Sequence, residues 1–117
     1  MYKVKLESFE GPLDLLYQLV ESKKLEITEI SLAQVADQFL SYLKKAGQNT
    51  TENLANFIGV AGRLALIKSR ALLPFLELSP EEESDIHGLQ EQLAEYKKYK
   101  ALAKELEKLD KSTKTLY

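Results

Sequence analysis

The stretch from Phe57 to Leu73 constrains the fold of this chain more than any other. Phe57, Ile58, Val60, Ala61, Leu64, Ala65, Leu66, Ile67, Ala71, Leu72 and Leu73 cover most of a helical cylinder. The charged residues among them are Arg63, Lys68 and Arg70. A helix apolar on nearly every side must be buried on nearly every side. The two helices expected before it are short and cover only part of it, so this helix wants a further partner. The chain has 117 residues, room for one small domain, or one domain and an extended arm. Hydrophobic and charged shares of 44% and 29% suit a soluble globular chain.

Proline and glycine punctuate a pattern that is otherwise helical. Pro12, after the turn at Glu10-Gly11, predicts a helix over 12–22 with Leu13, Leu16, Leu19 and Val20 on one face and Leu15 widening it. Ser31 stands three residues before Gln34, a capping-box spacing, and predicts a second helix to about Ala46. Its stripe is Leu32, Val35, Ala36, Phe39, Leu40 and Leu43. Lys44 and Lys45 complement its dipole, and Gly47 is its stop signal. The apolar third helix is expected from Thr50 or Thr51 to about Leu73. Ser79 and Glu82 repeat the capping-box spacing around Pro80 and predict a fourth helix to about Lys111. Residues 2–9 differ: Tyr2, Val4 and Leu6 alternate with Lys3, Lys5 and Glu7, the period of a short strand or extended arm. The expected fold class is all-α, a small helical bundle with a short N-terminal extended strand, followed by a long amphipathic helix.

Charge divides the chain near residue 77. Residues 77–117 carry ten acids and seven bases, whereas residues 1–76 carry eight and nine. Two units are expected, a bundle over 1–76 and a linker with its long helix over 77–117. A helix of that length reaches roughly 45 Å, more than so small a bundle can cover. Its apolar residues are Ile86, Leu89, Leu93, Tyr96, Tyr99, Leu102, Leu106 and Leu109, at steps of 3, 4, 3, 3, 3, 4 and 3. The extra three-step near Tyr99 makes the stripe drift around the helix, so its two halves face different surfaces. A narrow apolar stripe on a long charged helix suits a groove on another protein.

Several function classes fall away. The net charge is −2, without the positive excess of an autonomous DNA binder. Zero cysteines remove disulfides, thiol catalysis and thiolate metal sites. A single histidine, His87, argues against a histidine metal cluster or a triad and reads as an exposed or rim residue. Glu81, Glu82 and Glu83 read as favourable charge at a helix N-terminus, since a general acid needs burial. No apolar run is long enough to span a bilayer, and Met1 to Glu7 lack a signal-peptide core. The chain therefore reads as cytoplasmic, non-enzymatic and free of cofactors and metals. Lys97, Lys98, Lys100 and Lys104 interleave with Tyr96 and Tyr99, as in single-strand binders, but at the spacing of an amphipathic protein-binding helix. Arg63, Lys68 and Arg70 read as a solvated edge. Gly59 and Gly62 inside the third helix fit either close packing on the first two helices or close approach of a partner helix.

Four blocks, in order, resemble one family. Phe9-Glu10-Gly11-Pro12-Leu13-Asp14-Leu15-Leu16 is similar to the opening signature of segregation and condensation protein A, the prokaryotic kleisin of SMC complexes. Ile67-Lys68-Ser69-Arg70-Ala71-Leu72-Leu73-Pro74 resembles the end of that family's third helix. Glu26 to Ile30 with Gln38-Phe39-Leu40 fits between them, and Tyr96 to Ala101 resembles its middle segment. Tyr17, where the family usually has an aliphatic residue, and the two glycines are mild departures. The resemblance implies a scaffold in chromosome condensation and segregation, located in the cytoplasm with the nucleoid. Its N-terminal domain would pack on the coiled-coil neck of an SMC protein through Phe57, Ile58, Ala61, Leu64, Ala65, Lys68 and Leu72. Its long helix would bind a dimer of segregation and condensation protein B through Ile86, Leu89, Leu93, Tyr96, Tyr99, Leu102 and Leu106. DNA would be met only through the complex, and a membrane not at all. The family's C-terminal winged-helix domain has no counterpart up to Tyr117, so an N-terminal piece of a longer protein is expected. The rival readings are a self-associating helical scaffold and a nucleic-acid-binding adaptor.

Overall fold

A computed structural model describes residues 9–46 and 54–114, and in it the described chain is all-α. Four helices follow in order: α1 (Pro12–Ser22), α2 (Glu29–Ala46), α3 (Leu54–Leu72) and α4 (Pro80–Lys114). The expected N-terminal strand and the stop at Gly47 lie outside the described residues.

Local chemistry sets most helix ends. Gly11 precedes α1 at a φ of 155°, a conformation that side chains disfavour, and Pro12 follows at the first helical position. α1 closes on a Schellman motif: Leu25 N–H donates to Val20 O at 3.0 Å and Lys24 N–H to Glu21 O at 3.0 Å. The left-handed residue there is Lys24, with a φ of 55°, where glycine is the usual occupant. α4 opens on the expected capping box. Glu82 N–H donates to Ser79 Oγ at 3.1 Å, and Ser79 N–H to Glu82 Oε1 at 2.9 Å. The start of α2 corrects the sequence reading. Thr28, not Ser31, is the cap: Ser31 N–H donates to Thr28 Oγ1 at 3.1 Å, and the Thr28 hydroxyl reaches Ser31 Oγ at 3.0 Å. Ser31 is thereby buried inside the first turn.

One core joins all four helices. Leu15, Leu16 and Leu19 of α1 meet Leu32, Val35 and Phe39 of α2, and Phe57, Val60, Leu64 and Ile67 of α3. Ile86, Leu89 and Leu93 of α4 complete the same cluster, so its first half continues the bundle past residue 77. Phe9, the first signature residue, stacks edge-on against Phe57 with ring centroids 5.8 Å apart and against Tyr42 at 6.3 Å. It thereby ties the chain ahead of α1 to α2 and α3. Arg70, from the second signature block, ties three elements: it pairs with Glu29 at the start of α2 (2.7 Å) and with Glu83 in the first turn of α4.

Candidate functional site

The apolar third helix is covered on one side. Phe57, Val60, Ala61, Leu64 and Ile67 face the core. A second, flanking side carries Ile58 (55% exposed), Gly62, Ala65, the half-buried Ser69 and Leu72 (69% exposed). Their steps are 4, 3, 4 and 3, the register of a coiled-coil seam. Gly59 and Gly62 do not answer to packing on α1 or α2, because a Cβ built on either meets no atom within 4 Å. Leu73 and Phe75 extend the exposed apolar surface beyond the helix end.

The residues named from the family's third helix thus divide. Ile58, Ala65 and Leu72 lie on the outer seam, and Lys68 is half-buried beside it, bonded to Asp37 at 2.5 Å. Phe57, Ala61 and Leu64 are buried inside the chain. The sequence does not separate these two groups, because hydrophobicity alone does not say which side the neighbouring helices take.

α4 divides along its length. Ile86, Leu89 and Leu93 are buried and Tyr96 is half-buried, its ring edge-on to Tyr17 with centroids 5.7 Å apart. Tyr99, Leu102, Leu106 and Leu109 are each about 60% exposed and form a second open stripe. The stripe thus passes from bundle to solvent near Tyr99. The lysines interleaved with it are partly neutralised: Lys97 lies 3.9 Å from Glu21, and Lys100 lies 3.7 Å from Asp14. That is poor provision for a phosphate backbone.

Among the described residues Asp14 is the buried charge, 4% exposed. Its Oδ2 accepts from Glu10 N–H at 2.9 Å and Gln18 Nε2 at 3.2 Å, which satisfies a backbone donor ahead of α1. Burial, then Asp14, pushes the Tyr96 phenol well above its ordinary value, and burial, then Glu21 and Asp14, raises Tyr17. A cavity of about 500 Å³ opens beside this group between α1, α3 and α4, crossed by the Arg63–Gln92 hydrogen bond at 3.3 Å. The sequence supplied Asp14 as a signature residue, but nothing local showed that it meets α4.

His87 is exposed and pairs with Glu91 at 2.8 Å, while Glu82 and Glu83 serve the capping box and the Arg70 ion pair. Among the described residues no group of three histidine, cysteine or acidic side chains is placed to hold a metal ion. None of the described helices is long and apolar enough to cross a membrane.

Known proteins agree on one family. The family model described as segregation and condensation protein ScpA matches residues 19–117. The chain is 41% identical over 107 residues to segregation and condensation protein A of Caldanaerobacter subterraneus, covering 88% of this chain and 43% of that protein. It is 35% identical over 117 residues to the protein of that name from Halothermothrix orenii, covering 100% and 48%. Against that of Bacillus cytotoxicus it is 35% identical over 128 residues, covering 99% and 49%. The chain spans a little under half the length of these curated relatives. No solved structure matches it. With the family model matched over most of its length, the chain belongs to the segregation and condensation protein A family.

Proposed function

We propose that this chain is the SMC-binding and B-protein-binding part of a kleisin, a non-enzymatic subunit for chromosome condensation and segregation in the cytoplasm at the nucleoid. The observation that carries the reading is the outer seam of α3. A folded bundle has already satisfied its own core, yet it leaves Ile58, Ala65 and Leu72 open at coiled-coil spacing. The neck of an SMC protein is itself a coiled coil and offers a matching ridge. Small residues at Gly62, Ala65 and Ser69 would let the neck helices approach closely. A specific interface of this kind covers about 800 Å² per partner. The exposed stripe of α4, from Tyr99 to Leu109, would lie in a groove on the segregation and condensation protein B dimer. The functional division then follows exposure: the bundle with its α3 seam is one unit and the projecting half of α4 is the other. ATP chemistry would belong to the SMC heads.

The test is titration calorimetry with an SMC head–neck fragment and, separately, the B-protein dimer. Ala65→Asp should abolish neck binding with little effect on the melting temperature. Leu64→Asp cannot serve, because Leu64 is fully buried and its charge would unfold the bundle. Gly62→Ala is the finer probe. It should stabilise the free chain by up to about 1 kcal/mol while weakening neck binding. Normal neck binding by a folded Ala65→Asp chain would refute the assignment. A dimer in light scattering that this substitution dissociates would favour self-association through the same seam.

A further inference from the structure

Two open faces on one protein are useful as a bridge only if their relative direction is held, and the place where α4 leaves the bundle holds a buried carboxylate, Asp14. Tyr96 and Lys100 are a turn apart on α4, on the side that meets α1, just where the buried stripe ends and Tyr99, Leu102 and Leu106 turn outward. Asp14 faces them. Its Oδ2 accepts from Glu10 N–H, just ahead of α1, and from Gln18 of α1. The countercharge nearest its Oδ1 is Lys100 Nζ at 3.7 Å. That ammonium also lies 5.6 Å from the centre of the Tyr96 ring, and the buried Tyr96 hydroxyl is directed at Asp14, whose hydrogen bond and charge help to raise the phenol. We infer that Asp14 is a positioning residue which, through Lys100 and Tyr96, fixes the direction in which the projecting half of α4 leaves the bundle, and so the angle between the two docking faces.

The physical reason is asymmetry of cost. Apolar contacts such as Leu93 against the core are non-directional and tolerate some rolling of one helix on another. A buried carboxylate with one countercharge does not, because any splaying of α4 leaves the charge both desolvated and unpaired. Beyond Lys100 the leucines of α4 are exposed, so none of them supplies a later core contact that would restore a lost direction. The neighbouring Lys97–Glu21 pair is open to solvent and 3.9 Å apart, so it is screened and holds α4 only weakly. The consequence for bridging rests on the proposed function, whereas the geometry itself does not.

The sequence has no cysteine, so a double label is clean. Nitroxides on Ala65→Cys and Lys104→Cys report the α3-to-α4 distance distribution by pulsed electron paramagnetic resonance in the whole chain without either partner. Lys100→Met should broaden the distribution about twofold while the bundle stays folded, because only the local restraint on α4 is lost. Lys100→Arg should restore the original width. Asp14→Asn should also broaden it, and if that variant fails to fold the lysine pair still decides, since it leaves the Glu10 and Gln18 bonds in place. An unchanged width in folded Lys100→Met chain overturns the inference. So does equal broadening from Lys97→Met, which would assign the restraint to general α1–α4 adhesion. Partner binding does not enter the readout, so a failure here is distinct from a failure of the docking assignments.

Discussion

The two halves of α4 have the same repeating chemistry and opposite fates. Ile86, Leu89 and Leu93 are buried, while Leu102, Leu106 and Leu109, at similar spacing and equal hydrophobicity, stand in solvent. The difference is not in the residues but in what lies opposite them. The first half has α1 and α3 beside it, and the second half has run past their ends. An apolar stripe is therefore a demand for cover, and here half of that demand is met within the chain.

The comparison breaks most sharply under truncation. Leu93→Ala removes a fully buried side chain and should cost about 2–5 kcal/mol, whereas Leu106→Ala should stay within about 0.5 kcal/mol. Chemical denaturation of both variants measures this, and equal losses would mean that the distal stripe is covered in the free chain. The proposed reading adds the converse, that Leu106→Ala weakens B-protein binding.

Ser79→Ala acts on the covered half alone. Loss of the capping box should cost about 1 kcal/mol. Hydrogen exchange should show faster opening at the start of α4 and no change beyond Tyr99.

The changeover at Tyr96 can be sharpened with alkali. Its phenol is raised by burial first and Asp14 second, so it stays neutral in the folded chain at pH values where the unfolded chain has begun to ionise near 10.0. The stability linked to this group is therefore whole below pH 10.0 and is lost as pH rises above it. Tyr96→Phe should flatten that alkaline fall in the melting temperature, and an unaltered fall would place the titration elsewhere. The smallest effect concerns the end of α1, whose cap carries Lys24 in a left-handed conformation. Lys24→Gly should raise stability by about 0.5 kcal/mol in thermal melts while leaving both halves of α4 unchanged.

What the sequence by itself determined is the set of features that close within a few residues. The span of α1 follows from Pro12 and its leucine spacing, and the start of α4 from Ser79, Pro80 and Glu82, because a cap and the first helical turn are local hydrogen bonds. Even there the spacing misplaced one cap: it pointed to Ser31, whereas Thr28 caps α2 and the Ser31 side chain is buried instead. Tertiary structure alone decided sides. It put Leu64 inside and Ala65 outside on one helix, left Gly62 facing open space, and brought Asp14 of α1 to Lys100 of α4. Periodicity defines a face, but burial depends on which neighbour arrives to cover it, and that is settled only when helices distant in the chain pack together.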